Sequence, residues 1–224
     1  MRRSTVDDCV GLLARFSIDP TCGDAIDVGG TEIVYLDDGF QPNPLRELSP
    51  RLTLLDRGFN VEVVRTTTDH QVDFLDPDVP RRLGTSFDLT YSFDTLEHVS
   101  DPFRFCEHLV RVTRPGGHIF VATVFAWSYH PSPEDYFRYS PTGLLECFLG
   151  PRNALAGQVE IRWLGWDSDE RGVEILLRRL PAGVAPAPVP GIMNIDVTLG
   201  RTPPGPPGFG TRLRRRIARA LRPS

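Results

Sequence analysis

Two short stretches carry the side chains best suited to move a proton near neutral pH. One is Asp94-Thr95-Leu96-Glu97-His98; the other is Tyr129-His130, followed by Asp135-Tyr136-Phe137-Arg138. Histidine titrates close to neutrality, so His98 and His130 are the natural general bases, with Glu97 or Asp94 placed to orient His98. Asp135 joins them as a candidate catalytic group. Together with Tyr136 and Arg138 it can also hold an acceptor, Arg138 being suited to a carboxylate or phosphate on it. Each assignment has a structural rival. Glu97-His98 can cap the turn ahead of Asp101-Pro102, and Tyr136, Phe137 and Tyr139 can pack rather than bind. His108 and His118 read as structural. Asp94 and His98 are spaced i, i+4, but no third ligand with metal-like spacing follows, so no metal site is expected.

Such groups need a scaffold, and the apolar pattern supplies one. Asp24 to Val28 reads as a buried strand ending at Gly29-Gly30, and Leu52 to Asp56 as a second. Val61 to Val64, Val72 to Leu75, Phe87 to Phe93 and His118 to Phe125 are further strands. Helical spacing covers 5–16, with Val6, Val10 and Leu13 on one face, and 101–113, with Phe105, Leu109 and Val112. Arg114-Pro115-Gly116-Gly117 stops the second of these helices. A helix at 141–149, a strand at Val159 to Trp163 and a last strand at Ile195 to Leu199 follow, with a Pro/Ala/Gly-rich loop at 181–191. Apolar strands alternating with helices imply parallel βαβ units, which bind ligands beyond the C-terminal ends of their strands. Functional residues should therefore follow Val28, Asp56, Leu75, Phe93 and Phe125. One domain is expected over 1–200, then a Pro/Gly linker and basic tail over 201–224.

Composition narrows the chemistry. Of 224 residues 40% are hydrophobic, enough for a sizeable core. All 25 basic residues are arginine, so no mechanism that needs a lysine amine is available: no Walker lysine and no Schiff base. The net charge is −4; setting aside the seven arginines of the tail leaves −11 on residues 1–200, which argues against nucleic acid as the main substrate. The tail itself, with Leu213, Ile217 and Leu221 in one stripe, suits either a solvated segment or contact with an anionic membrane or acidic partner. Cys9, Cys22, Cys106 and Cys147 form no C-x-x-C pair and read as small buried hydrophobes. With no apolar leader and no run of eighteen apolar residues, the expected location is cytoplasmic.

Phe87-Asp88-Leu89, the run Ser92-Phe93-Asp94-Thr95-Leu96-Glu97-His98-Val99, then Arg111 and Pro115-Gly116-Gly117, resemble the class I, type 11 S-adenosylmethionine-dependent methyltransferases in order and spacing. Tyr129 to Pro141 is similar to a "YHP-x-P-x-DY-x-R" segment of one subgroup, where it roofs the active site. The likeness covers about residues 24–148. It implies a Rossmann-like α/β fold, a mostly parallel sheet with helices on both faces, and S-adenosylmethionine as cofactor. It further implies that Asp27, Gly29 and Gly30 form the methionine loop, here shortened from the family's glycine-rich pattern. The ribose acid would be Asp56, or Asp69 if the strand is Val61 to Val64. Asp76 would lie near the adenine, and Ser92 and Phe93 would face the cofactor. Methyl transfer to a hydroxyl of a small molecule, in specialised or sugar metabolism, is the implied reaction. A methyltransferase-like binding protein without catalysis is the alternative. A dinucleotide oxidoreductase is disfavoured, since no G-x-G-x-x-G follows the first strand.

Overall fold

The computed structural model describes residues 1–36, 39–58, 68–131 and 134–187. The Val61 to Val64 and Ile195 to Leu199 strands, the boundary at 200 and the arginine tail lie outside the described residues.

Apolar residues at helical spacing make α1 (Arg3–Arg15), and its inward face carries Val6, Val10 and Leu13. The strands follow as β1 (Ala25–Val28), β2 (Ile33–Leu36), β3 (Gly39–Pro42), β4 (Leu52–Asp56), β5 (His70–Gln71), β6 (Phe87–Phe93), β7 (Thr113–Val124), β8 (Val159–Trp166) and β9 (Gly172–Arg179). Two further helices carry their start signals in the sequence. For α4 (Pro102–Val112), Asp101 accepts the Arg104 amide at 3.1 Å and proline opens the first turn. For α5 (Pro141–Leu149), Ser140 does the same for Gly143 at 3.1 Å. The short helices α2 (Leu45–Leu48) and α3 (Val79–Leu83) complete the set.

Among the described residues seven strands form one sheet, in the order β5-β4-β1-β6-β7-β9-β8. The first five run parallel, and β9 alone is antiparallel to its two neighbours, β7 and β8. Alternate side chains on β7 separate two cores. Ile119 and Val121 pack with Phe105, Leu109 and Phe148 of α4 and α5, whereas Phe120 and Ala122 pack with Val6, Val10 and Leu13 of α1. Helices thus cover both faces, as the two-sided burial of parallel strands requires.

Besides β9, over which the sequence reading places no strand, three elements differ from that reading. Val72 to Leu75 is not a strand: β5 stops at Gln71, and the Asp73 carboxylate accepts the Leu75 amide at 2.9 Å, which turns the chain. The Arg-Pro-Gly-Gly segment ends α4 as expected but is itself the first part of β7, with a register shift opposite Phe87 to Leu89. The β1–β4 crossover uses the β2–β3 hairpin and the single-turn α2 instead of a long helix. Asn43 fastens this link. Its amide donates to Asp27 Oδ2 and to the Thr31 carbonyl, each at 3.1 Å, and its oxygen accepts the Leu45 amide at 3.0 Å. Of the cysteines, Cys9, Cys106 and Cys147 are buried thiols, but Cys22 is exposed, with its thiol 3.2 Å from Asp19 Oδ2. Among the described residues no helix is long and apolar enough to cross a membrane.

Candidate active site

Parallel register brings the C-terminal ends of four strands to one edge. Val28 pairs with Leu55, Asp27 with Tyr91, and Phe93 with Ala122. The residues that follow each strand therefore emerge side by side, around a cavity of about 1010 Å³. Gly29, Asp56, Phe93 and Thr95 line it on the strand side. Tyr35 and Phe40 of the hairpin, in edge-to-face contact at 5.2 Å, line it near the mouth.

Gly29 has φ +90°, and a side chain there would land inside that of Thr95. Its amide and that of Gly30 both donate to the Leu55 carbonyl, at 2.7 and 3.2 Å. Gly30 is filled from behind by the Asp27 carboxylate, so Asp27 and Gly30 support the loop without reaching the cavity wall. Burial pushes the Asp27 carboxyl up to about 7, against the hydrogen bond from Asn43. Asp56 ends β4 on the wall, where it accepts the Gly58 amide at 2.7 Å. Asp69 is directed elsewhere, onto the Leu54 amide at 2.7 Å and Arg46 at 3.1 Å. Asp76 is not on the wall either: it pairs with Arg82 at 2.8 Å, and because β5 ends early, Asp73 takes the position facing the cavity. Ser92 is buried with its hydroxyl unpartnered and off the wall, while Phe93 is on it.

The opposite end is built of buried polar groups. Leu96–His98 forms a single 3-10 turn after β6, placing Glu97 inward and fully buried. Glu97 Oε2 accepts the Thr123 hydroxyl at 2.8 Å; Oε1 has no hydrogen-bond partner among the described residues and lies 3.9 Å from both His98 Nε2 and His130 Nε2. Burial, reinforced by the nearby Asp94 charge, raises the Glu97 carboxyl to about 8. His98 Nδ1 sits 2.5 Å from the Glu134 carbonyl, and His130 Nδ1 sits 3.0 Å from the Ser128 carbonyl. On His98 the carbonyl selects the tautomer with its proton on Nδ1 and a lone pair on Nε2; on His130 the Ser128 carbonyl at 3.0 Å favours the same form against a longer, 3.4 Å approach of Arg138 Nη2 to Nδ1. Burial lowers the pKa of His98, although the Glu134 carbonyl opposes the shift.

Asp135 and Arg138 are brought together with each other instead of with the cavity. Two Arg138 nitrogens reach Asp135 at 2.5 and 2.6 Å, and the guanidinium also donates to the carbonyls of Trp127, Ser128 and Phe137. Asp135 accepts the His130 amide at 2.8 Å as well. The Arg138 hydrogen bonds hold the Asp135 carboxyl well below the usual range, so it is a poor base. The pair fixes the loop that presents His130. Tyr136 does reach the wall and is 48% exposed.

Sequence reasoning missed Arg2. It is buried, donates to Asp94 at 3.0 Å and to Asp167, and its guanidinium lies 5.9 Å from the Trp127 ring. Asp94 is therefore committed to Arg2 and does not orient His98. No local pattern marks this staple, because its partners lie 92 and 165 positions away.

Sheet order, a single antiparallel strand and a cavity at the strand ends together define the class I methyltransferase fold. Residues 41–121 match the family model described as a methyltransferase domain. A ubiquinone biosynthesis O-methyltransferase of Pseudomonas savastanoi pv. phaseolicola is 26% identical over 129 residues, covering 55% of this chain and 50% of that protein. The chain spans about half the length of the curated relatives it matches. Among solved structures, the [4+2]-cyclase SpnF aligns with TM-score 0.52 at 17% identity, over 80% of this chain and 82% of that one. An S-adenosylmethionine dependent methyltransferase from Mesorhizobium loti aligns with TM-score 0.50 at 15% identity, over 74% and 95%.

Proposed function

We propose that this protein transfers a methyl group from S-adenosylmethionine to a hydroxyl of a small molecule. The observation that carries the reading is one cavity with two unlike ends, a strand-end cradle and a cluster of lone pairs. The cradle fits the cofactor. Gly29 takes the positive φ with which the loop passes Thr95 at the wall, Asp56 can take a ribose diol with its carboxylate, Asp73 can accept from an adenine amine, and Phe93 offers an apolar surface. When bound there, S-adenosylmethionine supplies a methyl group on a positively charged sulfur.

The chain's own work is alignment and proton removal. Tyr35, Phe40 and Tyr136 form apolar walls for an acceptor's carbon skeleton, while Glu97, His98 and His130 surround its hydroxyl and an imidazole Nε2 draws off the proton. Arg138 and Asp135 position His130 through the loop, a role different from direct acceptor binding. The fold alone does not decide the reaction, since its neighbours include a cyclase.

Calorimetry with S-adenosylmethionine and S-adenosylhomocysteine is the first test. Micromolar binding that weakens in Asp56→Ala, followed by methylation of at least one member of a panel of hydroxylated acceptors, supports the proposal. Absence of binding by well-folded protein refutes it. That result would favour a non-catalytic binding role, the reading suggested by the spent amides of Gly29 and Gly30.

A further inference from the structure

We propose that Glu97, His98 and His130 form a binding site for a divalent first-row transition ion at the acceptor end of the cavity. The three donor atoms come from two separate segments of the chain and lie within 4.8 Å of one another. Glu97 Oε1 is the same 3.9 Å from each Nε2. An ion with bonds of about 2.1 Å in tetrahedral geometry separates its donors by roughly 3.4 Å, so small side-chain rotations close the set.

Three features distinguish this arrangement from a chance meeting of polar groups. First, Glu97 is fully buried, yet Oε1 has no partner while Oε2 is held by Thr123. A buried carboxylate oxygen left unsatisfied is costly unless something occupies the space in front of it. Second, both imidazoles are tethered through Nδ1 to backbone carbonyls, of Glu134 and of Ser128. That outer-shell arrangement orients histidine ligands in metal sites, and here it points both Nε2 lone pairs at the same carboxylate oxygen. Third, the loop bearing His130 is clamped by the Asp135–Arg138 pair and by the Asp135 contact to the His130 amide. The donor is therefore held in place before any ion arrives.

Two imidazoles and one carboxylate suit zinc, cobalt, manganese or iron in the divalent state better than magnesium or calcium, which take oxygen ligands. Three protein ligands leave at least one coordination position open, and His98, His130 and Glu97 all line the cavity. An acceptor hydroxyl can occupy that position. This last step rests on the methyl-transfer reading. With the ion bound the three side chains act as ligands in place of bases: the ion would lower the hydroxyl's pKa so that its proton passes to water, and the oxygen lone pair then forms the new C–O bond as the S–CH3 bond breaks, leaving a neutral thioether. Ion binding itself does not depend on that reading.

The test is a titration of chelator-stripped full chain with Co(II), followed by visible absorption, with Zn(II) as competitor. The expected result is one equivalent bound at micromolar affinity with nitrogen/oxygen d–d bands, and a tenfold or greater weakening in both Glu97→Gln and His130→Ala. His130→Ala keeps the backbone amide that binds Asp135, so it serves if Glu97→Gln does not fold. A thiolate charge-transfer band would place the ion on Cys22 and overturn the proposal. So would absence of stoichiometric binding, or binding unchanged in His130→Ala. Loss of S-adenosylmethionine binding with ion binding intact would instead refute the methyl-transfer reading and leave the site standing.

Discussion

The two ends of the cavity both carry polar groups but spend them differently. At the strand-end cradle, Gly29, Gly30 and Asp56 already have backbone partners, and Asp73 closes its own turn. What this end offers a ligand is shape and the remaining capacity of carboxylates. At the other end Glu97 Oε1 and two imidazole nitrogens face one another without a hydrogen bond among them. A region of the first kind stays stable when empty. A region of the second kind stores a desolvation cost that something bound can relieve. The rigidity it needs comes from ion pairs behind it, Arg2 with Asp94 and Asp167, and Arg138 with Asp135.

Substitutions can separate these regions. The largest effect is expected from His98→Ala, a loss of about 10²- to 10⁴-fold in turnover with cofactor affinity retained, measured by methyl transfer and calorimetry side by side. A comparable loss of cofactor affinity would show that the ends are not independent. Arg2→Ala should lower stability by about 3–5 kcal/mol, because it leaves buried Asp167 without its cation and Asp94 with only the Met1 ammonium at 3.6 Å; urea unfolding measures this. An effect under about 1 kcal/mol, the range of an exposed pair, would show the staple to be incidental.

Asp27→Asn probes the cradle through pH. Burial raises the folded-state pKa from 3.8 to about 7. The folded protein therefore holds this proton more tightly than the unfolded chain, and the associated stability is lost as pH rises from about 4 through 7. Three units correspond to roughly 4 kcal/mol at most. The Asp27→Asn variant, which keeps an oxygen for Asn43, should lose less stability across that window than the parent protein. Parallel stability curves would remove the argument. Smallest is Asp56→Ala, for which about a tenfold loss of S-adenosylmethionine affinity, near 1.4 kcal/mol, is expected with the melting temperature little changed.

Much of the scaffold is legible in the chain itself. Asp24 to Val28, Leu52 to Asp56 and Phe87 to Phe93 are apolar runs bounded by turn residues, and Asp101-Pro102 and Ser140-Pro141 are helix starts whose mechanism is local. The β2–β3 hairpin and β9 are not. Gly39 and Pro42 do not announce a strand pair, and Gly172 to Arg179 lacks the alternation of a half-exposed strand because most of its side chains are buried. Among site residues, His98, His130, Asp56, Gly29, Phe93 and Tyr136 are marked by their place after strands or by the family resemblance, and the structure puts all six on one cavity wall. The sequence points to Asp76 because it places a strand at Val72 to Leu75; the described strand is His70–Gln71, and Asp73 lines the cavity.

Residue type and spacing are enough to select a doubly covered parallel sheet and the edge at which its ligands should bind, because strand burial, capping and turn formation depend on neighbours within a few positions. Pairing among the polar side chains is settled only by the folded chain. Glu97 faces both imidazoles, Arg138 is consumed by Asp135, and Asp94 belongs to Arg2. Each of these contacts depends on sheet register and on the path of a loop. A carboxylate three residues from an arginine, or ninety, looks the same in sequence whether it is a ligand, a base or a staple; burial and the direction of its free oxygen make the difference.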